Sequence, residues 1–186
     1  MEHAWTIWFT GLHGSGKSTI AGNLANILRG KNVPCVLIDG DEVRKTVSTD
    51  LGYSLEERNE HMRRVANICK IISENSIITI ASVASPTESS RAYAKKILKK
   101  MFLVYVKCPL EICEERDVKG HYKNSKAKQK GFEHFMRVSS GFEEPKNPDV
   151  ILNTDKESVE ESVNKLVENL KERDLILNKL HSRIIL

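Results

Sequence analysis

The residues best suited to chemistry begin at Gly11. Gly11, Leu12, His13, Gly14, Ser15, Gly16, Lys17, Ser18 and Thr19 carry the spacing G-x-x-x-x-G-K-[ST], and each fixed position has a mechanical reason. With no side chains in the way, successive backbone N–H groups can curl around a phosphate. A helix starting near Lys17 aims its positive dipole end at the same anion. Lys17 would bridge the β- and γ-phosphates of ATP, and Ser18 would offer its hydroxyl to Mg²⁺, an ion that takes few protein ligands beside substrate phosphates. Asp39 and Asp41 flank Gly40 and form a second reactive pair. Asp41 reads as the base that accepts the proton of an attacking hydroxyl. Asp39 reads as an organiser of metal or loop, or as a cap for the following short helix. Arg44, Arg58, Arg63 and Arg64 could face an anionic acceptor bidentately, although arginines on a helix surface are usually solvated.

The elements around these residues place them together. An apolar run from Trp5 to Phe9 reads as a buried strand that breaks at Gly11, and Ile20, Leu24, Ile27 and Leu28 mark one face of the helix after the loop. Val33–Ile38 is a second strand, apolar enough to be buried on both faces, and it delivers the chain to Asp39. Ser54 and Glu57 form a capping box for a long helix through Val65, Ile68, Ile71 and Ile72. Further strands are expected at Ile77–Val83, Phe102–Val106 and Val150–Leu152. Pro86 should open the helix that runs to about Lys100, Pro109–Arg116 should be a short helix, and Thr154 or Asp155 should cap a last one ending near Arg173. Strands alternating with helices argue an α/β fold of the P-loop NTPase type: a parallel sheet of about five strands with helices on both faces. Ligands then bind beyond the carboxyl ends of the strands, where residues 11–18, 39–41 and 82–85 meet.

At 186 residues the chain fits a single domain, residues 1–186. Residues 118–148, rich in Lys, Gly, Ser and Glu, read as a lid loop, and about 155–186 as a C-terminal helix and tail. The net charge of +4 suits anionic substrates but falls short of the dense basic face of a nucleic-acid binder. Cys35, Cys69, Cys108 and Cys113 form no C-x-x-C pair and read as buried hydrophobes of a reducing compartment. No apolar run approaches the length of a membrane span, so a cytoplasmic protein without membrane partners is expected.

GLHGSGKST, IDGDEVR, DLGYSLEERNEHMRRVA, IASVASP, PLEICEERDVKGHYK, KGF and PKNPDVILNTD, in that order over about residues 5–155, resemble the adenylyl-sulfate kinase family. Its members phosphorylate the 3′-hydroxyl of adenosine 5′-phosphosulfate. The resemblance implies that ATP phosphates lie on Gly11–Ser18 and that Arg116 sits near the adenine. It makes Asp41 the base and assigns Arg44 and Arg58 to the phosphosulfate. Tyr53, where the family has Phe, would stack on the acceptor's base, with Phe132 closing from the lid. Lys119 and the backbone around Ala84 and Ser85 would complete the pocket. The serine matching Ser85 is described as a phosphoserine intermediate in bacterial members, although direct in-line transfer, with Ser85 as a structural cap, needs only a base, Mg²⁺ and an acceptor hydroxyl. The family implies a homodimer.

Three departures surround the acceptor pocket. His61 stands where the family has Asn, Thr87 and Glu88 replace an Arg-containing S-P-Y-R run, and Phe132–Phe142 replaces F-T-G-I-D followed by Tyr. A different nucleotide-linked acceptor, such as cytidine diphosphoramidate of capsule biosynthesis, is therefore an alternative substrate. A non-catalytic nucleotide-binding module is disfavoured because Lys17, Ser18 and Asp41 are all present. His13 reads as solvent-facing, and the lysines between 119 and 130, apart from Lys119, as a solvated face.

Overall fold

The computed structural model describes residues 3–116 and 141–173. Among them, β1 (Thr6–Thr10), β2 (Cys35–Asp39), β3 (Ile78–Ser82), β4 (Met101–Lys107) and β5 (Val150–Asn153) form one sheet in the order β2-β3-β1-β4-β5. Every neighbouring pair is parallel, with Phe9 beside Ser82 and Asp39 beside Ser82 in register. The carboxyl ends of β1, β2 and β3 therefore finish side by side.

Six helices are described: α1 (Lys17–Gly30), α2 (Gly40–Thr46), α3 (Leu55–Glu74), α4 (Glu88–Ile97), α5 (Leu110–Glu115) and α6 (Val159–Glu172). One face of the sheet buries Ile7, Phe9, Ile80, Phe102 and Val104 against Leu24 and Leu28 of α1 and Leu166 and Leu170 of α6. The other buries Trp8, Ala81 and Val83 against Met62, Val65 and Cys69 of α3 and Ala94 of α4. A side chain sealed as fully as Phe9 or Leu24 contributes about 2 kcal/mol of transfer free energy, so the central strands anchor the loops that follow them.

Four expectations need correction. β2 is an edge strand and only half-buried, because its apolar run covers one neighbour rather than two. Pro86 precedes α4, whose N-cap is Thr87, its hydroxyl accepting from the Ser90 N–H, and the helix ends at Ile97. The cap of α6 is Ser158, which forms a capping box with Glu161, and Thr154 has another task. Of the segment read as a lid, residues 118–140 lie outside the described residues, while the part just after them is packed down. The Phe142 ring stacks on Tyr105 at 6.0 Å, and Glu143 N–H donates to Pro86 O at 2.8 Å. The four cysteines are free thiols, with Cys69 and Cys113 pushed up to about 12 by burial.

Candidate active site

Residues 11–16 wrap the end of β1, and Gly11 and Gly14 are fixed by close approach. Gly11 has φ +149°, and a Cβ there would stand 2.4 Å from Val106 O; at Gly14, with φ +77°, it would stand 2.7 Å from Cys113 O. Thr10 Oγ1 donates to Ala84 O at 2.7 Å, tying the loop's root to the segment after β3. The loop folds so that Lys17 Nζ donates to Leu12 O at 2.6 Å, capping the bowl from its own helix. Ser15 Oγ is buried and has no hydrogen-bond partner among the described residues, leaving a hydroxyl inside the bowl. On the far rim Thr154 Oγ1 donates to Ser15 O at 2.8 Å, and Arg116 Nη2 donates to Thr154 O at 2.8 Å. Arg116 thus stands beside the loop, held by a threonine whose role sequence reading missed.

Asp39 uses its two oxygens differently. Oδ1 accepts from the Asp41 N–H at 2.8 Å and caps α2, while Oδ2 accepts from Ser18 Oγ at 3.2 Å. Ser18 Oγ also lies 3.1 Å from Ser82 Oγ. The cap and organiser readings therefore describe one carboxylate. Hard oxygen donors at the mouth of a phosphate loop are the donor chemistry that suits Mg²⁺. Among the described residues no group of three or more His, Cys, Asp or Glu is placed to hold a metal.

The capped helix carries Asp41 and Arg44, and Arg44 lies against a small aromatic platform. The Tyr53 ring is flanked by two guanidiniums, Arg44 at 4.8 Å and Arg58 at 5.3 Å from its centroid. Glu57 holds the turn beneath it by accepting from Gly52 and Ser54 N–H at 2.9 and 3.0 Å, and those bonds keep its carboxyl below the usual carboxylate range. Arg44 Nη1 donates to Gly52 O and Arg58 Nε to Tyr53 O. Arg58 Nη2, however, is buried and has no partner among the described residues. Burial and the charge of Arg44 lower the Arg58 pKa to about 10, so at neutral pH this pocket holds two cations under desolvation. Such an arrangement is costly without an anion and favourable with one.

The remaining expected residues separate from this group. Arg63 pairs with Glu60, and Arg64 forms a bidentate pair with Asp50, so neither faces the pocket. His61 is 3% exposed, and its two nitrogens lie 3.0 Å from Ser48 Oγ and 3.1 Å from Gly40 O. It sits behind the pocket wall and does not line it, because the ring is long enough to reach across α3 to α2. Ser85 is fully buried at φ +40°, its hydroxyl 3.1 Å from Ser90 Oγ and its carbonyl accepting from Arg91 Nη1 at 2.8 Å. In this structure its hydroxyl is turned into the protein, toward α4, rather than into the site. Ala84 contributes its carbonyl to Thr10 and Gly11. Lys119 and Phe132 lie outside the described residues.

Arg91 was not anticipated. Only 2% exposed, it bonds Ser85 O, Glu88 and Glu143 O, and so ties the segment after β3 to the chain returning at Phe142. Its sole sequence signal was an arginine on the inner face of α4, next to Ala94 on the buried stripe.

The model of the family described as Adenylylsulphate kinase matches residues 3–153. The chain is 43% identical to the adenylyl-sulfate kinase of Halothermothrix orenii over 171 residues, covering 92% of this chain and 91% of that one. It is 44% identical to that of Clostridium kluyveri over 165 residues, 88% of this chain and 82% of that one. The Mycobacterium tuberculosis APS kinase solved in complex with AMPPNP and APS superposes with a TM-score of 0.84 at 32% identity, over 92% of this chain and 99% of that one. A phosphate loop, a capped Asp-Gly-Asp corner and a twin-arginine platform thus occur in a chain that belongs to the adenylylsulphate kinase family.

Proposed function

We infer that this enzyme transfers the γ-phosphate of ATP to the 3′-hydroxyl of adenosine 5′-phosphosulfate, giving 3′-phosphoadenylyl sulfate. The observation that carries the reading is the pair Arg44 and Arg58 around Tyr53, with a buried guanidinium N–H left over, on the helix pair that presents Asp41. A planar base stacked at Tyr53 and a phosphosulfate on the guanidiniums would bring the sugar hydroxyl between them to Asp41. Asp41 accepts its proton as the phosphoryl group leaves the loop. The backbone of Gly11–Gly16 and the Lys17 ammonium hold the donor phosphates in line, and Arg116 lies against the adenine. Ser18 and Asp39 would hold Mg²⁺, which draws off charge on the phosphate oxygens. The fold and the M. tuberculosis complex with AMPPNP and APS support this assignment. No helix among the described residues is long and apolar enough to cross a membrane. We place the enzyme in the cytoplasm as a homodimer, which its mass in solution checks.

The test is ATP turnover with Mg²⁺ and either adenylyl sulfate or cytidine diphosphoramidate at equal concentration. Product from adenylyl sulfate is expected. Product from the cytidine compound alone would overturn the acceptor assignment and leave the donor site standing.

A further inference from the structure

The peptide that joins Gly40 to Asp41 is held at both ends. Its N–H donates to Asp39 Oδ1 at 2.8 Å, and its carbonyl, Gly40 O, lies 3.1 Å from His61 Nε2. A carbonyl can only accept, so Nε2 carries the ring proton, and in the neutral imidazole Nδ1 accepts from Ser48 Oγ at 3.0 Å. Gly40 also packs closely on β3's end: a Cβ there would stand 3.1 Å from Val83 Cγ1 and 3.4 Å from Ser82 O. Asp39 in turn takes the Ser18 hydroxyl. One hydrogen-bonded chain therefore runs from Ser48 through His61, the Gly40–Asp41 peptide and Asp39 to the phosphate loop.

The structure assigns His61 as a positioning residue that, anchored by Ser48, fixes the Gly40–Asp41 peptide and so aims the Asp41 carboxylate. The inference rests on the reading of Asp41 as the base. The Asp41 side chain leaves the backbone one bond beyond that peptide, on the first turn of α2, and proton transfer demands heavy-atom reach of about 3 Å. Burial, reinforced by Arg44, lowers the His61 pKa to about 4, so the ring stays neutral throughout the neutral range, with Nε2 donating to Gly40 O and Nδ1 left to accept from Ser48.

Three variants test this by steady-state kinetics with ATP and adenylyl sulfate. His61→Leu keeps the packing and removes both bonds; kcat should fall about 10- to 100-fold, with the KM values for ATP and acceptor unchanged. His61→Gln places an amide N–H where Nε2 stood and should recover most of kcat. Ser48→Ala frees only the far side of the ring and should give the smallest loss. The inference is overturned if His61→Leu turns over at the parent rate, or if the Leu and Gln variants lose activity equally and in step with their melting temperatures. Should the Leu variant fail to fold, parental kcat in Ser48→Ala together with a fully impaired Gln variant overturns it equally. Asp41→Asn separates the two levels: if it retains turnover, the base reading falls and this inference with it. If it is inactive while His61→Leu is parental, only the positioning role falls.

Discussion

The donor side of the cleft is one consecutive stretch, Gly11–Thr19, whose working groups are mostly backbone amides. The acceptor side, as proposed, takes Asp41 and Arg44 from α2, Tyr53 from the turn after it and Arg58 from α3. The donor side is rigid because its backbone is pressed against β4 and α5, leaving no space at Gly11 or Gly14 for a methyl group. On the acceptor side two like charges stand close together, each guanidinium bonded to a backbone carbonyl, with one buried donor unmatched among the described residues. A change on the donor side should disturb fold and nucleotide together. A change on the acceptor side should alter substrate choice with the fold intact. Asp39 belongs to both, one oxygen toward Ser18 and the other toward Asp41.

The largest effect that can break this comparison comes from Asp41→Asn, which should lower kcat by about 10²- to 10⁴-fold while ATP affinity, measured by titration calorimetry, is retained. Equal loss of ATP affinity would merge the two sides. Next, Gly11→Ala forces a methyl group into the Val106 carbonyl at positive φ and should cost about 3 kcal/mol of stability by denaturant titration, with nucleotide binding lost in parallel. Outside both sides, in the tie between the segment after β3 and Glu143, Arg91→Met leaves Ser85 O and Glu143 O unpaired and should cost about 2 to 3 kcal/mol, a loss that added ATP analogue only partly restores.

A smaller, pH-dependent effect arises at His61. Its folded pKa of about 4 lies below the ordinary 6.5, so the unfolded chain binds the proton more readily. This contribution to stability is complete above about pH 6.5 and is lost as pH falls toward 4. Melting temperature against pH should drop across that window, and less steeply in His61→Leu. The smallest effect belongs to Arg64→Ala. Its partners Asp50 and Glu60 occupy its guanidinium away from the pocket, so acceptor KM should stay at the parent value, in contrast to Arg58.

The same division governs what could be read from the sequence. The sheet, the loop and α1 were legible because glycine spacing, an apolar run and a 3.6-residue period are local signals. The Ser54–Glu57 capping box was read correctly for the same reason. The equivalent signature at Ser158 and Glu161 was overlooked beside the nearer Thr154. β2 was misjudged because an apolar run does not reveal how many neighbours a strand has. Around the acceptor, residue types were visible but their directions were not. Arg58 and Arg64 look alike in sequence, and only the fold gives one of them Asp50 and leaves the other a spare N–H. His61 and Ser85 carry reactive groups that tertiary packing consumes, and Arg91 gains its importance from Glu143, far away in the chain.

The most direct test of separable donor and acceptor sides is calorimetric titration of the parent and Arg58→Met with a non-hydrolysable ATP analogue and, separately, with adenylyl sulfate. Loss of a charge-assisted contact worth about 1.5 to 3 kcal/mol should weaken adenylyl sulfate binding by about 10- to 100-fold and leave the ATP analogue unchanged. Parental affinity for adenylyl sulfate in the variant, or weakening of both ligands alike, would contradict it.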